Sequence, residues 1–362
     1  MNEKFLGYRK KTKEEIEDLW NNAYFTFDTN SLLNLYRYSE ISRNDTLDLI
    51  KKVANRTFIT KQVAFEFSKN RYETINEIIK KHSEFLKNLA KIKDEIIDNN
   101  HSLFLSSELE LKFKLLIEEI DTEIINKTEI YNNLFQVDDV YNIINKLFKD
   151  NFLEGFDENQ LKEIEKEGEF RYNKKIPPGF SDTKKEENKY GDLIIWKEII
   201  DFARTNDKSV IFISDDSKDD WIWKLRDGKI IGPRPELIQE FFKETGKNFH
   251  IYRSDRFIEF GAKFLNETIN SNTVHEITKV TEEVRLPDYF KYLKNLNQEE
   301  LEDKFKYLTP RESDLLRLNI GVGNLHPLKL KEIAETFDLD LISALKIKNK
   351  ALRKLISLEN KN

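Results

Sequence analysis

"YFTFDTNSLLNLY", residues 24–36, decides how the chain is read. Tyr24 to Phe27 are apolar or β-prone, Asp28 follows at once, and a leucine-rich helical pattern begins a few residues later. A buried strand that ends on a carboxylate needs a reason for that carboxylate. A second stretch has the same form. "SVIFISDDSKDD", residues 209–220, is an apolar strand running into Asp215 and Asp216, with Asp219 and Asp220 just beyond. In an open α/β sheet, chemistry gathers at the carboxyl ends of the strands. Two neighbouring strands of this kind would set their acids at one edge.

Two further acids stand on apolar helix patterns. In "YGDLIIWKEII" Asp192 shares a face with Ile195, Trp196 and Ile199, at spacings of three, four and seven. In "TKQVAFEF" Glu66 lies between Phe65 and Phe67. A carboxylate in such surroundings needs a partner. Each acid alone has an ordinary explanation: Asp28 as a helix cap, Asp192 as a first-turn acid suited to the helix dipole, "DDSKDD" as a solvated turn. Jointly they point to one or two hard divalent cations, Mg²⁺ or Mn²⁺, which take oxygen ligands. The chemistry such a site performs is phosphodiester hydrolysis.

The rest of the composition narrows the options. The 362 residues carry a formal net charge of −6, so any nucleic-acid contact must come from a local patch. There is no cysteine, which excludes disulfides, thiolate metal sites and cysteine nucleophiles. The N-terminal stretch has no apolar core of signal-peptide type, and no run approaches a membrane span, so a cytoplasmic protein is expected. Strand and helix patterns alternate, which predicts an α/β fold with a parallel sheet. Short strands are expected at 24–27, 56–60 ("RTFIT"), 209–216 and 248–255, and helices at 11–20, 31–38 and from 61 onward. Two long, charge-rich helical stretches suggest a projecting hairpin. "NETINSNTVHEITKVTEE" has no clear period and reads as a linker. The expected domains are 1–265 with a helical insertion at about 73–170, a linker at 266–287, and an all-helical unit at 288–362.

In order, "FDTNSLLNLYRY", "FITKQVAFEFSKNR", "IPPGFSDTKKEENKYGDLIIWKEII", "VIFISDDSKDDWIW", "GPRPELIQEF" and "IYRSDRFIEF" resemble the PIN-like domains of bacteria, a branch of the PIN nuclease superfamily. The resemblance covers about 24–264. It implies a Rossmann-like PIN fold and a metal-dependent nuclease site in which Asp28, Glu66 and Asp192 match the first three acids. The Ser/Thr-x-Asp pattern points to Asp216 as the fourth, with Asp215 and Asp220 as alternatives. Asn30 matches the Asp-x-Asn motif and would orient the carboxylate or a water. The family's usual settings suggest phage defence or toxin-like arrest. In the loop "KKIPPGFSDTKKEENKYGD", Lys174, Lys175, Lys184 and Lys185 precede Asp192 and are expected to meet a phosphate backbone beside the acids.

The C-terminal stretch holds a helix start at "TPRE", a short amphipathic helix "LKEIAETFDL", a tight turn at 338–340 and a longer basic helix. That order predicts a helix-turn-helix module. Residues 308–355 resemble region 4 of bacterial primary sigma factors. Where the sigma recognition helix carries Arg and Glu, this chain has Leu341, Ile342 and Leu345, which cannot hydrogen-bond base edges. Non-specific phosphate contact through Lys346, Lys350 and Lys354, or docking of a protein partner or a second copy, therefore fits better than promoter reading. The competing readings are a metal-dependent nuclease of RNA or DNA, with RNA slightly favoured, an inactive DNA- or RNA-polymerase-binding regulator, and an assembly scaffold.

Overall fold

The computed structural model describes residues 5–98, 105–183, 185–216, 218–225, 230–322 and 326–360. Lys184 and the side chain of Ile342 lie outside the described residues. The central element is a three-stranded parallel sheet. It contains β1 (Tyr24–Phe27), β2 (Val210–Ile213) and, after an antiparallel hairpin of β3 (Ile222–Lys224) and β4 (Ile230–Pro233), β5 (Phe249–Tyr252). The order is β1-β2-β5, with Phe27 opposite Ile213 and Ile213 opposite Tyr252. All four residues of β2 are buried. That is why its sequence is a continuous apolar run: a parallel strand covered on both faces has no solvent side to alternate with.

Helices cover the sheet: α1 (Lys13–Asn22), α2 (Thr29–Leu33), α3 (Glu40–Lys52), the long α4 (Lys61–Lys93) and three more that follow the insertion. The expected helix at 31–38 starts at Thr29 with Asp28 as N-cap, and its end tightens to a 3₁₀ turn at Asn34–Tyr36. "RTFIT" is not a full strand. It makes single parallel bridges from Thr57 to Phe25 and from Ile59 to Phe152, squeezed between a 3₁₀ turn and the Thr60 N-cap of α4.

The insertion is a hairpin, as its pattern suggested. The α4 helix runs antiparallel to α5 (Ser107–Asn133), with Tyr72 stacked on Phe135 and His82 bonded to Thr128. The buried residues of α4 end at Ile78, and among the described residues of α5 Ile117 alone is buried, so the far half projects into solvent. The chain returns through α6 (Asp139–Phe148) and α7 (Glu158–Asn173). Asp138 caps α6, pairs with Arg71 of α4 and accepts the Tyr36 hydroxyl, tying the base of the hairpin to the sheet layer. Then come α8 (Gly191–Asn206), α9 (Pro235–Thr245) and α10 (Ser254–Leu265).

The expected linker is mostly helix: α11 spans Thr273–Lys294 and packs on α3 and α10. Its inward face at this end is Thr273, Ile277 and Thr281, all buried at a spacing of four. Two of the three are threonines, so the face leaves no apolar stripe to read. Glu276 accepts from the Ser39 N–H, the Ser39 hydroxyl and the Ser42 hydroxyl, which fixes α11 to α3. Beyond it lie α12 (Gln298–Phe305), α13 (Pro310–Ile320), α14 (Leu330–Thr336) and α15 (Leu341–Asn360). A small core of Leu315, Ile333, Ala334 and Ala344 joins α13, α14 and α15. Among the described residues no helix is long and apolar enough to cross a membrane.

Candidate active site

The sheet register explains the carboxylate at the end of β1. The Asp28 N–H donates to the Ile213 carbonyl at 2.8 Å, and the Ser214 N–H to the Tyr252 carbonyl at 2.9 Å. Asp28 and Ser214 therefore stand side by side where β1 and β2 end. The Ser214 hydroxyl donates to Asp28 Oδ2 at 2.9 Å and accepts the Asp216 N–H at 3.1 Å, so one hydroxyl fixes both acids. Asp28 Oδ1 accepts the Thr29 N–H at 2.8 Å. The Thr29 hydroxyl donates to Glu66 Oε2 at 2.7 Å, and Gln62 and Asn188 donate to Glu66 Oε1 at 2.8 and 2.7 Å. Glu66 thus belongs to the same network, brought there by the first turns of α4.

The charges act on one another. Burial first, then the charges of Asp216, Asp192 and Glu66, hold the Asp28 carboxyl well above the usual carboxylate range. Burial likewise pushes Asp192 up to about 7, against the opposing pull of Lys218. Burial would raise Asp216 too, but the Lys218 charge and its hydrogen bonds outweigh it and hold Asp216 below the ordinary value. Lys218 is the cation of the cluster. Its Nζ lies 3.0 Å from Asp182, 3.0 Å from Asp216 and 3.4 Å from Asp192.

Sequence alone does not single out Lys218 and Asp182. Asp182 is buried in a loop read for its lysines, and Lys218 is hidden in a run read for its acids. The signal was the Asp216-x-Lys218 spacing, which lets the Lys218 N–H and ammonium both reach Asp216. Thr29 and Asn188 are small polar residues with no periodic signature, whereas Ser214 is the serine of the Ser/Thr-x-Asp pattern that points to Asp216.

Other expected residues stand elsewhere. Asp215 turns away from the cluster. It is buried and accepts from Asn34 at 3.0 Å, from the Ser254 N–H at 2.9 Å and from the Ser254 hydroxyl at 2.7 Å. Those bonds tie β2 to the start of α10. Asp220 accepts from the Gly179 N–H at 3.1 Å and the Ser181 N–H at 2.9 Å, which pins residues 179–181 and so sets Asp182 beside Lys218. Asp219 pairs with Lys224 at the margin. Asn30 is exposed and, among the described residues, makes no hydrogen bond to Asp28; Thr29 and Ser214 do that work. In the loop, Lys185 pairs with Asp182 at 2.6 Å, beside the cluster, whereas Lys174 and Lys175 are exposed at the end of α7.

At the C-terminus, Lys354 is held by Glu312 at 2.6 Å and Arg353 by Glu283 at 3.2 Å, so Lys354 is not a free phosphate contact. Lys346 and Lys350 are exposed. Leu341 and Leu345 are 50% and 45% exposed, outside the small core of their own module.

The donor set is all oxygen, the chemistry a hard divalent cation needs, and a positive group already sits among three of the carboxylates. As the side chains stand, no group of three His, Asp or Glu among the described residues is placed to hold an ion, and the cation drawn in is Lys218. With fold and cluster in view, the kinship of the chain is clear. A family profile described as "PIN like domain" matches residues 24–237, more than half of the chain, and the chain belongs to that family. Residues 238–362 lie outside the match. No curated protein and no solved structure matches it.

Proposed function

We propose that the protein is a metal-dependent nuclease that hydrolyses phosphodiester bonds, with RNA the favoured substrate. One observation carries this reading: the acids at the ends of β1 and β2 join Glu66 and Asp192 in one electrostatically coupled cluster that binds a cationic group. Asp28, Glu66, Asp192 and Asp216 would hold Mg²⁺ or Mn²⁺. Bound there, the ion would supply a water acidic enough to give hydroxide near neutral pH and would neutralise charge on the leaving oxygen. Ser214 and Thr29 keep Asp28 oriented, and Asn188 and Gln62 do the same for Glu66. Lys218 balances the carboxylates in the absence of metal. Lys185 stands at the rim, where a phosphate backbone would approach.

The sigma-like reading of the C-terminal helices belongs to this proposal too. The exposed Leu341 and Leu345 favour docking of a protein partner or a second copy over base reading, with Lys346 and Lys350 left for phosphates. Control through such a partner would suit a nuclease acting in defence or growth arrest.

The test is purified protein with Mn²⁺ or Mg²⁺ against labelled single- and double-stranded RNA and DNA, beside Asp28→Asn. Cleavage that needs metal and disappears in the variant supports the enzyme. Intact substrates throughout, with no Mn²⁺ binding by calorimetry, would leave the inactive regulator as the better account.

A further inference from the structure

A second site candidate lies away from the acids. A cavity of about 790 Å³ opens between the 6–13 segment, the body of β5 and the helices α9 and α10, and none of its lining residues belongs to the acidic cluster. Its size falls in the range of small-molecule sites. The N-terminal segment packs against the body of the domain here, with Tyr8 edge-on to Trp223. Gly7 adopts φ +94°, and a Cβ there would come within 2.8 Å of the Pro235 Cα, so only glycine fits. Arg9 grips Glu15, which also closes the Thr12 capping box of α1.

The lining is strongly basic in a chain whose net charge is negative. Seven Lys or Arg and two Glu surround the cavity. Arg9, Lys247 and Arg256 are committed to Glu15, Asp207 and Glu259. Lys10, Lys11, Lys13 and Lys263 form no ion pair with a carboxylate among the described residues. Lys11 is half-buried, and burial lowers its pKa against the opposing pull of the Glu15 charge. The same cavity has an aromatic wall of Trp223, Phe260 and Phe264, with Ile238 and Phe242 also in the lining. Phe260 and Phe264 stack on one another, and the Lys263 ammonium lies 5.6 Å from the Phe264 ring centre. Four lysines without a carboxylate ion pair and an aromatic wall line one cavity, which suits a ligand that is anionic at one end and flat and apolar at the other.

We propose that this cavity binds a phosphorylated nucleoside, with the base on the aromatic wall and the phosphates on Lys10, Lys11, Lys13 and Lys263. Aromatic faces take any base by stacking, and lysine is a natural phosphate partner. The ligand is a free nucleotide or the phosphorylated end of a strand; the recognised chemistry is the same. The site does not depend on the nuclease reading.

The test is isothermal titration of the full chain in EDTA with AMP, ATP, adenosine and inorganic phosphate. AMP and ATP should bind, and adenosine and inorganic phosphate should bind at least tenfold more weakly. Lys11→Ala with Lys263→Ala should weaken AMP at least tenfold. Lys10→Ala with Lys13→Ala, on the exposed rim, gives the same answer if the first pair fails to fold. Asp28→Asn should bind AMP like the wild type, which separates this site from the acidic cluster. A 5′-phosphorylated trinucleotide that binds more tightly than AMP assigns the site to strand ends, and the reverse assigns it to free nucleotides. Absence of AMP and ATP binding, phosphate or adenosine binding as tight as AMP, or unchanged AMP affinity in folded lysine variants would each overturn the proposal.

Discussion

Lys218 holds Asp216 twice: its backbone N–H donates to Oδ1 at 2.7 Å, and its ammonium lies 3.0 Å from Oδ2. The same ammonium reaches Asp182 and Asp192. Several partly buried carboxylates at one sheet edge would repel one another, and Lys218 offsets that repulsion from within the chain. Any ion that uses Asp216 and Asp192 must compete with it.

Lys218→Met should therefore unfold more easily than the wild type in EDTA. Removing one partner of a buried ion pair costs about 3 kcal/mol or more. Added Mn²⁺ should raise the variant's melting temperature by more than it raises that of the wild type, because the ion then restores the missing charge. Equal shifts in the two proteins would mean that Lys218 and the metal do not share a site.

Adjacent aspartates at the end of β2 should behave oppositely. Asp215→Ala removes the acceptor for Asn34, the Ser254 N–H and the Ser254 hydroxyl, all in a buried setting. Leaving buried donors unpaired costs about 1–3 kcal/mol each, so urea unfolding should show a large loss of stability. Asp216→Asn should lose less, because the amide oxygen still accepts the Lys218 N–H and Lys218 keeps Asp182 and Asp192, yet it should abolish the metal-dependent cleavage proposed above. A stable, inactive Asp215→Ala would reverse the two roles.

Glu198 predicts a pH effect. It is buried on α8 and accepts the Gln62 N–H at 3.2 Å, at the start of the helix that carries Glu66. Burial pushes its carboxyl up to about 7, from an ordinary 4.5. Between those values the folded protein keeps a proton that the unfolded chain has released, so this group's contribution falls as pH rises from 4.5 to 7 and stays low above. Glu198→Gln removes the dependence. It should match the wild type near pH 4.5 and be more stable by up to about 3 kcal/mol at pH 8. Melting curves across that range decide it; a constant difference would rule out titration of Glu198.

Sequence alone reveals the strands that end in acids, because each is an apolar run that stops on a carboxylate. It also places Glu66 and Asp192 on helix faces where a charge stands out. It does not distinguish Asp215 from Asp216, since their roles depend on which side of the strand each leaves and on what waits there, Ser254 or Lys218. The β3–β4 hairpin and α3 escape it as well, as does α11, where threonine replaces aliphatic side chains on the buried face. Asp182 escapes for a different reason: its place beside Lys218 is set by long-range loop pinning through Asp220, which no local pattern encodes.

Arg171 supplies the last prediction. It is buried at the end of α7, binds Glu240 of α9 through two bonds of 2.7 Å, and also donates to the Pro177 carbonyl. Glu240 in turn accepts the Trp196 indole N–H at 3.0 Å. The guanidinium thus joins α7 to α9, Glu240 extends the link to α8, and the Pro177 bond anchors the start of the loop that brings Asp182 and Asn188 to the acids. Arg171→Met leaves Glu240 short of a partner and frees the loop, so it should lose about 3–5 kcal/mol. Arg171→Lys should rescue it only in part, because an ammonium cannot form the two-pronged contact. Arg171→Met combined with Glu240→Gln removes the unpaired charge but keeps an acceptor for Trp196, and should be more stable than Arg171→Met alone. Urea titration of the four proteins measures the order. If the double variant is the less stable of the two, the cost lies in lost packing of the arginine stem and not in the stranded carboxylate.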